Sequence, residues 1–174
     1  MLHKDFKSIK ADNSHCAIAK KIIVSVLDEY GLGGETHHTD NDLEDIEKAY
    51  AGGYFGMIQN KNEEFVGTFG LYFLDKNTCE IRKMYLLPSA RGKGIGKWMV
   101  GFLIKKAKEL NFKKIKLETS SVLKEANGLY LKMGFEKVTP MSDAPRCDRA
   151  FEYRGVTASS GNTSKPSKKK YEKK

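Results

Sequence analysis

The sequence predicts an α/β protein whose folded part is one domain over residues 1–155. Two observations carry this prediction. Short alternations of apolar and polar residues, typical of strands, recur between two long segments with helical spacing of apolar residues. A chain of 174 residues, 40% hydrophobic and 30% charged, also has the size and composition of a single soluble domain. The predicted element order is β-α-α-β-β-β-α-β-α-β-β.

The first third of the chain predicts one strand and two helices. Residues 6–10 alternate imperfectly and fit an edge strand. A helix follows, with its N-cap among residues 12–14, and glycines end it. A short acidic helix is expected over residues 43–50, with Asn41 or Asp42 as its cap. The apolar face of the long first helix consists of Ile18, Ile22, Ile23, Val26, Leu27 and Tyr30.

The middle of the chain predicts three consecutive strands and a long helix. Residues 54–60 and 65–74 form a hairpin, because a polar turn of Asn, Lys and Glu separates them. A third strand runs over residues 79–87, and a helix covers residues 94–110. The apolar face of that helix consists of Ile95, Trp98, Met99, Phe102 and Leu110.

The last third predicts strands over residues 114–118, 135–138 and 150–153, with a helix over 122–133 between the first two. Residues 156–174 are rich in Ser, Thr and Lys and nearly lack apolar residues. Such a segment cannot bury enough surface to offset its ordering entropy, so a disordered tail is expected.

The most informative segment runs from Arg91 to Gly96, between a predicted strand and the start of a helix. The first N–H groups of a helix lack internal partners and carry partial positive charge, and glycines let an anion approach them. The spacing excludes a P-loop, because only three residues separate Gly92 from Gly96-Lys97 and Trp98 follows. It also excludes a dinucleotide fingerprint, which needs G-x-G-x-x-G at the first turn of a βαβ unit.

Two further motifs accompany this loop. Arg91, Gly94 and Gly96 fill the pattern (Arg or Gln)-x-x-Gly-x-Gly, and Glu80 lies eleven residues earlier on the preceding strand. Residues 126–135 carry the pattern A-x-x-L-Y-x-x-x-G-F. Together these elements resemble the GNAT superfamily of N-acetyltransferases. The resemblance implies a mixed, mostly antiparallel central sheet, with splayed fourth and fifth strands and helices on both faces.

The same resemblance implies acetyl-CoA as co-substrate and no metal. Backbone groups near Met84 and Leu86 would bind the pantetheine arm, and Arg91 and Lys93 would add positive charge at the pyrophosphate. Many family members carry a CoA-contacting Asn where this chain has Leu123, and Asn127, one turn later, is expected to substitute for it. The expected pyrophosphate-binding N–H groups are those of Gly92, Lys93, Gly94, Ile95, Gly96 and Lys97.

Glu80 and Tyr130 are the predicted catalytic residues. Several family members carry a catalytic glutamate on the strand that Glu80 occupies, and Tyr130 matches the position of the general acid. A solvated glutamate is a poor base for an amine, so Glu80 would have to be desolvated or act through a chain of waters. The structural alternative for Glu80 is an ion pair with Arg82 or Lys83. For Tyr130 it is a core aromatic.

The predicted function is therefore acetyl transfer to a primary amine of a small, amino-acid-like or polyamine-like acceptor, by direct attack in a ternary complex. One alternative, a protein or peptide N-acetyltransferase, shares the donor chemistry, and another is an acyl-CoA-binding module without catalysis. The sequence does not distinguish among these acceptors. It also leaves open whether the chain forms a homodimer.

The composition also limits which other functions and sites the chain could have. The three widely spaced cysteines favour reduced thiols in a cytoplasmic protein over disulfides or a zinc site. No apolar run is long enough for a membrane span. The lysine-rich tail could contact nucleic-acid phosphates weakly, and a solvated tail is the simpler interpretation.

Overall fold

Residues 1–33, 38–140 and 146–156 are described in a computed structural model of the chain. Within them the chain forms seven strands and four α-helices, in the predicted order. None of these four helices combines the length and apolarity needed to cross a membrane. The elements are β1 (Phe6–Lys10), α1 (Cys16–Glu29), α2 (Ile46–Ala49), β2 (Tyr54–Asn60), β3 (Phe65–Asp75), β4 (Thr78–Leu86), α3 (Ile95–Glu109), β5 (Lys114–Thr119), α4 (Lys124–Lys132), β6 (Glu136–Val138) and β7 (Arg149–Tyr153).

All seven strands form one sheet in the order β1-β2-β3-β4-β5-β7-β6. The pair β4–β5 is parallel, and the other neighbouring pairs are antiparallel. β4 and β5 pair only at their beginnings, through Thr78, Cys79 and Glu80 opposite residues 114–116. β4 then continues to Leu86 without pairing to β5. The mixed, mostly antiparallel sheet and its splayed fourth and fifth strands are thus confirmed.

Helices cover both faces of the sheet, as expected. On one face α3 buries Met99 and Leu103, and Tyr130 of α4 joins the same apolar cluster. On the opposite face α1 buries Ile22 and Ile23. Each side chain of this size contributes about 1.5–3 kcal/mol when it is fully buried. The two clusters therefore pack against opposite faces of the sheet and stabilise the arrangement of its strands.

The start of α2 differs from the prediction. The helix begins at Ile46, and the carboxylate of Asp45 accepts a hydrogen bond from the Lys48 N–H at 3.0 Å. The expectation that Asn41 or Asp42 caps this helix is wrong. Asp42 lies in the 3₁₀ segment before the helix, and its carboxylate is buried beside Lys83 of β4 instead.

The C-terminal boundary of the described chain lies just beyond β7. Val156 is buried and belongs to the same apolar cluster as α3. Residues 157–174, which make up nearly all of the predicted tail, lie outside the described residues. Their disorder stays a prediction.

Candidate active site

A cavity of about 240 Å³ opens where β4 and β5 separate. It extends from the end of α1, across the unpaired part of β4, to the first turns of α4. Glu80 and Tyr130 both line it, so the fold brings the two predicted catalytic residues into one cavity, which we call the active-site cavity. Other lining residues used below are Leu27, Lys83, Met84, Tyr85, Glu118 and Arg146.

A bulge in β4 shapes the floor of the active-site cavity. Between the pairs Thr68–Tyr85 and Gly70–Arg82, β4 has two residues, Lys83 and Met84, where β3 has only one. The extra residue is accommodated at Lys83, whose φ of 52° lies in the left-handed region. The hydroxyl of Thr68 donates a hydrogen bond to the Lys83 carbonyl at 2.7 Å and so holds the bulge. The bulge re-aims the backbone of β4 where it no longer pairs with β5.

Glu80 is both buried and ion-paired. Only 14% of its side chain is exposed, and its Oε2 accepts a hydrogen bond from Nε of Arg82 at 2.6 Å. Burial raises the pKa of Glu80 above its usual value, and Arg82 opposes that rise. The nearby carboxylates of Glu118 and Asp42 raise the pKa further. The sequence offers desolvation and an ion pair as alternative environments for Glu80. In the structure both occur together.

Tyr130 is a deeply buried phenol at the wall of the cavity. Its side chain is 4% exposed, and its ring packs against those of Phe135 and Phe151 at centroid distances of 5.8 and 5.7 Å. Burial raises the pKa of Tyr130 well above its ordinary value, and Tyr85 adds to the shift. The phenol consequently stays protonated at neutral pH and can donate a hydrogen bond or a proton. Tyr130 is thus a core aromatic that also faces the cavity.

The glycine loop forms the entry to α3. Gly92 and Gly94 have φ values of 72° and 73°, a left-handed conformation that other residues adopt at a cost. Gly94 is the N-cap of α3, and the carbonyl of Gly94 accepts the first helical hydrogen bond from Trp98. The N–H groups of residues 95–97 thus belong to the first turn, where a helix offers no internal acceptor. Ile95 has a buried side chain, so only its backbone can reach an anion.

Each nitrogen atom of the Arg91 guanidinium donates a hydrogen bond to a protein group. Nη1 and Nη2 donate to the two carboxylate oxygens of Glu29 at 2.6 and 2.8 Å. Nε donates to the carbonyl of Leu86 at 2.9 Å. Lys93 donates from Nζ to the carbonyl of Ser89 within the same loop. The two cations expected at a pyrophosphate are therefore placed beside the loop, and each has a protein partner.

Asn127 lies on α4 but directs its amide group to the backbone. Its Nδ2 donates to the carbonyls of Ser120 and Leu123 at 2.9 and 2.7 Å. Both amide hydrogens are thus used to close the turn that leads into α4. Leu123 stands where many family members carry a CoA-contacting Asn, and it lines the active-site cavity. The Oδ1 atom is the polar atom through which Asn127 could still contact a ligand.

A buried ionic cluster that the sequence did not predict lies next to the cavity. Nζ of Lys83 lies 3.3 Å from Oδ1 of Asp42, and 8% of each side chain is exposed. The hydroxyl of Tyr50 donates to Oδ2 of Asp42 at 2.8 Å. Among the described residues no donor meets Oδ1 of Asp42 in hydrogen-bonding geometry, so Coulomb attraction holds the Lys83 side of this cluster. In the sequence, only a lysine within an otherwise periodic strand indicates this cluster. The bulge in β4 shows that the Lys83 side chain is directed to Asp42.

A second cavity of about 300 Å³ adjoins the first on the side of β5 and β7. Glu80, Arg82 and Glu118 line both cavities and form the boundary between them. A ligand bound in either cavity can therefore reach the carboxylate of Glu80. Within residues 1–33, 38–140 and 146–156 no group of three or more His, Cys, Asp or Glu side chains is arranged to hold a metal ion.

Comparison of the sequence with known proteins identifies acetyltransferases as its relatives. A family model described as the acetyltransferase (GNAT) family matches residues 21–135. The uncharacterized N-acetyltransferase YjgM of Escherichia coli (strain K12) is 37% identical over 128 residues, which cover 70% of this chain and 76% of that protein.

Solved structures show the same fold. A GNAT-family acetyltransferase of Staphylococcus aureus superposes with a TM-score of 0.77 and 27% identity, over 84% of this chain and 97% of that one. An acetyltransferase of Clostridium acetobutylicum, solved with acetyl-CoA, superposes with a TM-score of 0.67 and 23% identity, over 79% and 94% of the two chains.

Proposed function

Since the chain belongs to the acetyltransferase (GNAT) family, we propose that its active-site cavity transfers the acetyl group of acetyl-CoA to a primary amine of a small, amino-acid-like molecule. The observation that carries the proposal is the joint placement of Glu80 and Tyr130 in one cavity at the divergence of β4 and β5. A buried carboxylate and a protonated phenol are the base and the acid that this transfer needs.

The donor lies along the unpaired edge of β4 and ends at the start of α3. The pyrophosphate accepts hydrogen bonds from N–H groups of Gly92 to Lys97, since the helix N-terminus favours an anion there. The pantetheine amides pair with the backbone near Met84 and Leu86, beyond the last β5 partner at Glu80. The acetyl group then reaches the cavity that Tyr130 lines.

The acceptor amine must lose a proton before it can attack. For a lysine-like amine with a pKa of about 10.4, holding it neutral at pH 7 costs about 4.6 kcal/mol. Glu80 takes this proton directly or through a water, and its raised pKa makes it a better base than a solvated glutamate. The neutral nitrogen attacks the thioester carbonyl carbon in the ternary complex.

Collapse of the tetrahedral intermediate breaks the C–S bond and releases CoA as a thiolate. Tyr130 donates a hydrogen bond or its proton to this sulfur, since the buried phenol remains protonated. The products are the N-acetylated amine and the CoA thiol, so no covalent acetyl-enzyme is needed. Cys79 cannot serve as a nucleophile, because its thiol is fully buried and burial raises its pKa to about 12.

Two features support a small acceptor of amino-acid type. The active-site cavity, at about 240 Å³, is smaller than the about 300–1,000 Å³ of drug-sized ligand sites. Side chains of both charge signs line it: Glu80 and Glu118 are acidic, and Arg82, Lys83 and Arg146 are basic, so the lining has no excess of acidic groups. A polyamine would favour an excess of acidic groups. We place the reaction in the cytoplasm, which agrees with three unpaired cysteines.

An acetyl-CoA consumption screen tests this proposal. CoA release and product mass are measured with free amino acids, polyamines, aminoglycosides and peptides, with a protein-free mixture as the blank for uncatalysed transfer and Y130F as the comparison variant. Release with amino acids and loss of that release in Y130F support the proposal. Turnover only with peptides or protein would assign the chain to the protein N-acetyltransferases. Acetyl-CoA binding without turnover on any amine would leave a binding module.

A further inference from the structure

The first residue of the glycine-loop motif joins three separate elements. The guanidinium of Arg91 binds the carboxylate of Glu29 in a two-pronged ion pair and the carbonyl of Leu86 through Nε. Glu29 is the last residue of α1, and Leu86 is the last residue of β4. The Tyr30 ring lies 5.5 Å from Cζ of Arg91. The end of the first helix is thereby attached to the loop that opens α3.

Residues close in sequence to this attachment line the active-site cavity. Leu27 and Leu32, on either side of Glu29, line that cavity from the α1 side. Met84 and Tyr85, just before Leu86, line it from the β4 side. The contact from Glu29 through Arg91 to Leu86 therefore connects the two walls.

We propose that Glu29 and Arg91 form a positioning strut, which fixes the acceptor-side helix α1 against the donor-binding loop. The strut rests on the proposed function, because it assigns the two walls to acceptor and donor. In this proposal Arg91 shapes the loop and does not bind the pyrophosphate with its side chain. The negative charge of the donor is met by the N–H groups at the start of α3, with Lys97 exposed on its first turn.

The geometry of the guanidinium supports a shaping role. Arg91 has three nitrogen atoms, and each of them donates to Glu29 or Leu86 at 2.9 Å or less. A bidentate ion pair of this kind attracts its two partners and also fixes their relative orientation. The hydrogen bond from Arg91 is also the main reason why the pKa of Glu29 is lowered. Re-aiming the guanidinium at a phosphate would break contacts on two elements at once.

Calorimetry of CoA binding tests the strut in three variants: E29Q, R91Q and E29Q/R91Q. At Glu29 glutamine keeps the shape of the side chain and removes its charge, and at Arg91 it removes both the charge and the guanidinium fork. If the strut positions the loop, both single variants weaken CoA binding by a similar factor of about five, and the double variant is no weaker than either. E109Q is the matched control: Glu109 pairs with Lys106 at 2.6 Å at the far end of α3, and its loss leaves CoA binding unchanged.

A phosphate-binding role of Arg91 predicts a different pattern. R91Q alone would then weaken CoA binding, while E29Q would leave it unchanged or tighten it by freeing the guanidinium. Either that pattern or additive losses in the double variant overturns the proposal.

Hydrogen exchange of the free protein separates the strut from the proposed function. In the strut model E29Q and R91Q both increase exchange at the last turn of α1 and at residues 86–91, without any donor present. If wild-type protein fails to bind CoA but shows this coupled exchange, the proposed function fails and the strut stands. If exchange rises only at the mutated residue, the strut fails even though CoA binds.

Discussion

Nε of Arg82 donates a hydrogen bond to Oε2 of Glu80 over 2.6 Å, two positions along the same strand. The guanidinium is itself held over the ring of Tyr72, 3.8 Å from its centroid. This pair moderates the basicity of the proposed catalytic carboxylate, because Arg82 opposes the rise in pKa that burial causes. The rate of acetyl transfer should therefore depend on both residues.

The first prediction concerns the pH profile. Glu80 must be ionised to accept a proton, so kcat/KM falls as pH drops through its pKa, which is raised above the usual value. Removing the positive charge in R82Q raises that pKa further, and the acidic limb moves to higher pH by about one unit or more. In E80Q the limb disappears and the rate is low throughout. The profiles are measured by CoA release at saturating and limiting acceptor.

R154Q is the matched control for this shift. Arg154 pairs with Glu152 two positions earlier on β7, through Nε at 2.5 Å, and its side chain is 77% exposed. Its replacement leaves the acidic limb where it is in the wild type. A limb that shifts equally in R154Q and R82Q would contradict the assignment to Glu80.

The second prediction separates two glycines of the loop. G94A forces alanine into a left-handed conformation at φ 73°, which costs about 1–2 kcal/mol and tilts the N–H groups of α3. We expect G94A to lower stability and weaken CoA binding. G96A is tolerated, because its Cβ would meet Leu129 Cδ2 at 3.4 Å in ordinary contact and points away from the loop surface. Calorimetry that found weaker binding in G96A than in G94A would contradict the geometry.

The third prediction concerns the buried pair of Lys83 and Asp42. D42N removes the charge of a carboxylate that lies 3.3 Å from Nζ of Lys83 and accepts a hydrogen bond from Tyr50, in a site where 8% of each side chain of the ion pair is exposed. We expect a loss of about 1–3 kcal/mol in the free energy of unfolding. The double variant D42N/K83M should lose less than the sum of the two single variants, because both single changes remove the same ion pair. Denaturant unfolding measures all three variants. Equal losses in D42N and in the exposed control E109Q would show that the pair carries no such energy.

The fourth prediction concerns the order of chemical events. Direct attack requires donor and acceptor to be bound together, so double-reciprocal plots at several acceptor concentrations should intersect. Incubation with acetyl-CoA alone should leave the mass of the protein unchanged. Parallel lines, or an acetylated protein that passes its acetyl group to the acceptor, would replace direct attack by a covalent route.

Much of the fold could be predicted from the sequence, because periodicity and turn residues act locally. The strand β5 alternates cleanly, and its buried residues Ile115 and Leu117 are those that the pattern selects. The glycine-rich turn before α3 could also be predicted, because its left-handed residues Gly92 and Gly94 are glycines. Membership in the GNAT family is confirmed, and the loop pattern with Glu80 and Tyr130 was sufficient to suggest it.

The rest depended on contacts that are distant in sequence. Strand alternation cannot show the bulge at Lys83, which redirects that side chain to Asp42. Nor can the motif around Arg91 show that its partner is Glu29, because the two residues are 62 positions apart. Local preference predicts Asn41 or Asp42 as a helix cap, but the carboxylate of Asp42 is buried beside Lys83 instead.

The central claim is that Glu80 and Tyr130 act together in the cavity between β4 and β5. The measurement that tests it most directly is kcat of E80Q and Y130F, compared with Y153F, together with the CoA affinity of each by calorimetry. The account predicts that kcat falls by about 10²-fold or more in E80Q and Y130F, with CoA affinity and Y153F unchanged. Wild-type turnover in both E80Q and Y130F, with CoA still bound, would contradict it.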